Sequence, residues 1–163
     1  MTCRVLPAVL VTPTLVLALI LASPPTIPTA RAQILPPPSC TLGMASVAFG
    51  SYNPLSATSL DTTGTLSFSC NLTAPLPTIA LSRGASSTFT PRTMTGPAGG
   101  ELQYNLYLDP LHVIVWGDGA DLTTSRFVAV GLLGSVTFYG RVPAQQNAPA
   151  GADGDTLVAT IYF

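Results

Sequence analysis

Apolar residues recur at every second position in one short run after another, and Gly- and Pro-rich turns separate the runs. This period-two pattern constrains the fold more than any other feature of the chain. Leu157, Ala159, Ile161 and Phe163 fall on one face of residues 155 to 163, with Thr156, Val158, Thr160 and Tyr162 on the other, which predicts a half-buried strand ending on a buried aromatic. A domain ending on such a strand raises the question of whether its sheet is complete. Leu66, Phe68, Cys70 and Leu72 alternate with Ser67, Ser69 and Asn71. Leu102, Tyr104, Leu106 and Leu108 alternate with Gln103, Asn105 and Tyr107. Shorter runs at Leu42 to Phe49, Thr78 to Ser82, His112 to Trp116, Phe127 to Val130 and Ser135 to Val142 complete the set. Turns are signalled at Arg83-Gly84, Gly96-Pro97, Gly99-Gly100, Asp109-Pro110, Gly117-Asp118-Gly119 and Gly151-Ala152-Asp153-Gly154. No stretch sustains a helical period, so about seven or eight short strands predict an all-β sandwich of immunoglobulin-like type.

The first residues read as an export signal. Arg4 supplies a positive start, Val5 to Ala22 is apolar apart from Pro7, Thr12, Pro13 and Thr14, and Ala30-Arg31-Ala32 places small residues where signal peptidase reads them. Residues 1–32 are therefore expected to be a signal peptide. A membrane anchor is the competing reading, since roughly 18 apolar residues can span a bilayer. The two prolines and the A-x-A site argue against it. No later run is apolar and long enough to span, so no membrane span is expected in the mature form. Residues 33–39 follow as a Pro-rich lead, Gln33-Ile34-Leu35-Pro36-Pro37-Pro38-Ser39, and residues 40–163 as one domain.

Removing the signal takes Cys3 and leaves Cys40 and Cys70, an even pair that in an exported domain most simply forms a disulfide. Arg4 and Arg31 leave with it, so the basic count falls from six to four Arg against seven acidic residues. A net charge near minus three without basic clusters excludes nucleic acid and anionic membrane surfaces as partners.

No constellation carries catalysis. His112 is the one histidine, and no Ser or Thr sits in a nucleophile motif. Asp118 and Asp121 around Gly119 lack the ligand series and distal Glu of a calcium loop and read as a tight turn, so no metal or cofactor is expected. Asn71-Leu72-Thr73 matches a glycosylation acceptor, a tripeptide common by chance, and lies in an apparent strand. Trp116, Asp118 and Asp121 remain as a possible ligand loop, with packing the alternative for Trp116.

Cys40-Thr41-Leu42, Phe49-Gly50-Ser51-Tyr52, Gly64 to Cys70-Asn71, Tyr104-Asn105-Leu106-Tyr107-Leu108-Asp109, Trp116-Gly117-Asp118-Gly119, Tyr139-Gly140-Arg141-Val142-Pro143-Ala144-Gln145-Gln146 and Asp155-Thr156-Leu157-Val158-Ala159-Thr160-Ile161 occur in that order. Together they resemble the spore coat protein U domain, found in secreted pilin subunits of archaic chaperone-usher pili. The resemblance covers Cys40 to Phe163, and Cys40 and Cys70 match the family's cysteine positions. It implies an immunoglobulin-like sandwich lacking its last strand, with Leu157, Ala159, Ile161 and Phe163 lining the acceptor groove for a donor strand. It also implies a periplasmic chaperone and usher, neighbouring pilin subunits, a route through the periplasm to a surface fimbrium, and no catalytic residues.

One departure bears on assembly. Polymerising pilins of this kind carry a donor segment of alternating residues before the first cysteine, and Gln33 to Ser39 with its three prolines offers two apolar side chains at most. The subunit then sits at a tip, or cleavage falls earlier than Ala32, or the chain is not polymerised in the family's way. A tip or stand-alone adhesin that binds a host or abiotic surface through its loops is the alternative to a fibre subunit.

Overall fold

The computed structural model describes residues 35–71, 76–97, 99–127 and 133–163. The expected signal peptide and most of the run expected at Phe127 to Val130 lie outside the described residues. Eight strands are present: β1 (Cys40–Leu42), β2 (Leu60–Cys70), β3 (Thr78–Leu81), β4 (Arg92–Thr95), β5 (Glu101–Tyr107), β6 (Arg126–Phe127), β7 (Gly134–Val142) and β8 (Ala159–Tyr162). They form a five-stranded sheet, β1-β2-β7-β5-β4, and a three-stranded sheet, β6-β3-β8, with every pairing antiparallel. The described residues contain no helix. The fold is an all-β, immunoglobulin-like sandwich.

Alternation decides which side chains meet between the sheets. Leu66 and Phe68 from β2, Leu102, Tyr104 and Leu106 from β5, and Val136, Phe138 and Val142 from β7 point inward against Ile79 and Leu81 of β3. The β2–β7 ladder runs in register from Leu60↔Val142 to Phe68↔Gly134 and twice sets a glycine opposite a phenylalanine. At Gly64 an added Cβ would stand 2.4 Å from the Phe138 ring, and at Gly134 the same distance from the Phe68 ring. Each missing side chain is thus the room in which the opposite ring lies.

The Cys40–Cys70 disulfide is formed, with S–S 2.04 Å, and joins directly opposed residues of the β1–β2 ladder. Closing a loop with a sequence separation of 30 stabilises the fold by about 3 to 4 kcal/mol on the chain-entropy model.

Three expectations are corrected and one strand is added. The first strand covers only Cys40–Leu42, because after Gly43 donates to Ser67 O the chain leaves β2 and runs irregularly through Phe49. His112 to Trp116 is not a strand: the Asp109 carboxylate accepts the amides of Leu111, Val113 and Ile114 and folds the chain into a turn, leaving only Val115 and Trp116 as isolated bridges. β4, which the alternation did not reveal, pairs with β5 from Arg92↔Tyr104 to Thr95↔Glu101. The expected buried aromatic end is absent, since Phe163 is 48% exposed. The β3–β8 register ends at Thr78↔Tyr162, and Pro77 before it has no N–H to extend the ladder.

Candidate functional site

Between the two sheets lies an open apolar groove of about 980 Å³. One wall is the irregular segment Leu42 to Tyr52 that follows β1. The other is Ala148 to Leu157 together with Ala159 of β8. Core side chains form the floor, among them Leu66, Leu81, Leu102, Leu106, Trp116, Phe138 and Val142. Beside the groove, β8 pairs with β3 along one edge only, so its other edge carries no ladder partner among the described residues. An apolar cleft next to an unpaired strand edge can take up an extended segment, which would donate ladder hydrogen bonds and set alternate side chains on the floor.

Polar side chains hold the walls apart. Tyr52 Oη donates to Pro143 O (3.1 Å) and accepts from Gln146 N (2.6 Å), while Gln146 exchanges hydrogen bonds with the Gln103 backbone through Oε1 and Nε2. On the opposite side the Asp155 carboxylate accepts from Tyr104 Oη (2.7 Å), Ala85 N (2.9 Å) and Thr156 N (2.8 Å). Burial first, and then the bond to Asp155, raises the Tyr104 phenol well above its ordinary value, so it stays a neutral donor. Asp153 and Asp155 are the charged groups of the lining, and it contains no base.

The acceptor residues named from sequence separate into two sets. Leu157 and Ala159 line the groove, half-buried. Ile161 is half-buried against the core, and Phe163 lies past the last ladder pair, outside the lining. The possible ligand loop does not hold together either. Trp116 is 1% exposed, donates Nε1–H to Ile79 O (3.0 Å) and packs on Phe138, so it is unavailable at the surface and belongs to the groove floor. Asp118 accepts from Ala120 N (2.9 Å) in a turn where Gly119 takes φ 93°, as expected of a tight turn. Asp121 follows with φ 50° on the exposed surface. Among the described residues no cluster of His, Cys, Asp or Glu could hold a metal ion.

Two features escaped sequence reasoning. Arg92 is fully buried with no carboxylate in ion-pair range among the described residues; Nε and Nη2 donate to Ser82 O, Nη2 to Trp116 O (2.7 Å) and Nη1 to Asn105 Oδ1 (2.6 Å). It ties the end of β3, β5 and the Trp116 turn together. The Asp109 turn, in contrast, points outward. Leu111 is 78% and Val113 73% exposed, while the His112 ring packs edge-on against Tyr107 and Tyr139.

The fold and its groove define an immunoglobulin-like sandwich of the pilin type. The chain belongs to the Spore Coat Protein U domain family, whose sequence model matches residues 27–160. It is 36% identical over 141 residues to "Protein U" of Myxococcus xanthus, a match covering 77% of this chain and 78% of that protein. Its fold is similar to a chain in the crystal structure of the CsuC–CsuE chaperone–tip adhesion subunit pre-assembly complex from archaic chaperone-usher Csu pili of Acinetobacter baumannii. That likeness has a TM-score of 0.57 at 17% identity and covers 77% of this chain. The chain spans 40% of the length of that chain.

Proposed function

We propose that this protein is a non-enzymatic, exported structural subunit of a surface fibre, a pilus or fimbria, assembled by strand complementation. The observation that carries the proposal is the apolar groove beside the unpaired edge of β8. Such a groove exposes core side chains unless a strand fills it, so the subunit needs a periplasmic chaperone to occupy it first and a neighbouring subunit to occupy it in the fibre. Family membership and the likeness to a chain from a chaperone–tip subunit complex support the same reading, as does the packing of the one histidine between two tyrosines. The route runs through the periplasm and an usher to the cell surface.

The test is to fuse a segment of alternating apolar residues to the C-terminus through a short flexible linker. The fusion should melt well above the unmodified domain and stop it binding an apolar dye. A domain that is monomeric, dye-silent and no less stable than the fusion already has a closed sheet, and the proposal fails.

One observation favours a second reading, a tip or stand-alone adhesin. The Asp109 turn holds Leu111 and Val113 out in solvent in a fixed conformation, a surface suited to an apolar host or abiotic surface. Loss of surface binding by a Leu111→Ser, Val113→Ser variant whose groove is filled would support it.

A further inference from the structure

We propose that the Asn71 side chain is a clamp that steers the N-terminal lead away from the groove, so that the groove is filled by another chain. The inference rests on the groove's accepting a strand. Asn71 makes three hydrogen bonds to the lead: Nδ2 donates to Pro37 O (2.7 Å), Oδ1 accepts from Ser39 N (3.2 Å), and its own N–H donates to Ser39 O (3.0 Å). These bonds continue the β1–β2 ladder past Cys40↔Cys70 by one pair and fix the direction in which the lead leaves the domain. The groove wall begins at Leu42, at the other end of β1. Pro37 to Ser39 therefore lead away from the groove, which starts five residues after Pro37.

Chain lengths decide the consequence. In a chain processed after Ala32, only residues 33–36 precede the clamp, and four residues reach about 14 Å at full extension. Returning from Pro37 to Leu42 means covering five strand residues, about 17 Å. The clamped lead falls short of its own groove. Without the side chain the pivot moves to Ser39, still held by the Asn71 backbone N–H; the free lead grows to six residues reaching about 21 Å, and Leu42 lies about 10 Å away. A lead that can reach would compete for the groove at the high effective concentration of a tethered segment. The Asn71-Leu72-Thr73 tripeptide thus has a use for its amide apart from glycosylation: Nδ2 is already committed to Pro37.

The experiment uses the full exported chain with a spin label on Met44→Cys in the groove wall, and follows the amide signals of Ile34, Leu35 and Ser39. With Asn71 present, Ser39 should be protected from exchange and the lead signals unbroadened. Asn71→Ala should abolish the Ser39 protection and broaden the lead signals. Asn71→Asp, which keeps an acceptor for Ser39 N but loses the donor to Pro37 O, should fall between and serves if the alanine variant folds poorly. Binding of a free peptide of alternating apolar residues should weaken about threefold or more in Asn71→Ala and recover when residues 33–36 are also deleted. Unbroadened lead signals in both variants would overturn the clamp. Failure of the peptide to bind the wild-type chain would instead count against the groove, with the label still deciding the clamp.

Discussion

Tyr104 donates its phenolic hydrogen to Asp155 Oδ2 at 2.7 Å, joining the middle of β5 to the segment that leads into β8. The same carboxylate also receives the amides of Ala85 and Thr156, so one side chain organises the groove wall on the β8 side. Tyr104→Phe keeps the ring in the core and removes only this bond. A hydrogen bond to a charged acceptor contributes about 1.5 to 3 kcal/mol, and because Asp155 keeps two amides the loss should sit near the lower figure. Urea unfolding checks the magnitude, and faster exchange of the Ala85 and Thr156 amides checks the site. Unchanged stability and exchange would show that the wall is held by other contacts.

The Cys40–Cys70 bridge fixes the strand from which the lead departs. Mass measurement of the exported chain after alkylation without reductant should find neither cysteine alkylated. Cys70→Ser should lower stability by about 2 to 5 kcal/mol and reduce recovery from the periplasm. Two alkylated cysteines in the wild-type chain would contradict the pairing.

The long ladders were legible because burial and alternation agree along them: β2, β5 and β7 each bury every second residue over most of their length. Legibility failed where a side chain rather than the ladder satisfies the backbone. Asp109 captures three amides and turns an apolar run that alternation reads as a strand, and Asp155 does the same for Thr156 just before β8. β4 was hidden for a different reason. Of its two inward residues, Arg92 and Met94, the first is charged, and a hydrophobic pattern counts it as surface although carbonyls and Asn105 surround it. Of the groove lining, Leu157 and Ala159 were named from sequence on the β8 side, whereas the run from Leu42 to Phe49 reads as a strand and is irregular once Gly43 leaves β2.

Arg92 supplies the sharpest stability prediction. Burial pulls its value below that of an ordinary guanidinium, yet arginine stays charged in proteins, so the buried charge depends on its carbonyl and amide acceptors. Arg92→Met fills a similar volume but leaves Ser82 O and Trp116 O without its donors, while Asn105 Oδ1 keeps only the Leu106 amide. Two acceptors left without donors at about 1 to 3 kcal/mol each should together cost at least about 2 kcal/mol. Arg92→Lys, with one ammonium on a single axis, should recover only part of this. A thermal or urea transition within about 1 kcal/mol of wild type for Arg92→Met would remove Arg92 as the tie between these elements.

Acid should weaken the fold through two carboxylates with different origins. The hydrogen bond from Arg141, which donates from both Nε and Nη2, is the main reason Asp61 lies below its ordinary 3.8, and the amide of Ile114, followed by those of Val113 and Leu111, does the same for Asp109. A carboxylate whose folded value is lowered adds stability that is fully present above the unfolded value and is lost as pH falls through the folded one. Stability should therefore be level from near neutrality down to about pH 5 and decline below the ordinary carboxylate value of 3.8. The Asp61–Arg141 pair is largely exposed, so its share is at most about 1 kcal/mol, and 1 M salt, with a Debye length of about 3 Å, should reduce it. The Asp109 bonds are short and local to its own turn and should resist the same salt. Asp61→Asn should flatten the salt-sensitive part of the acid decline and leave the amides of Val113 and Ile114 protected, whereas Asp109→Ala, which removes their acceptor, should expose those amides at every pH. A decline that is wholly salt-sensitive, or wholly absent in Asp61→Asn, would show that the Asp109 turn contributes nothing to acid stability.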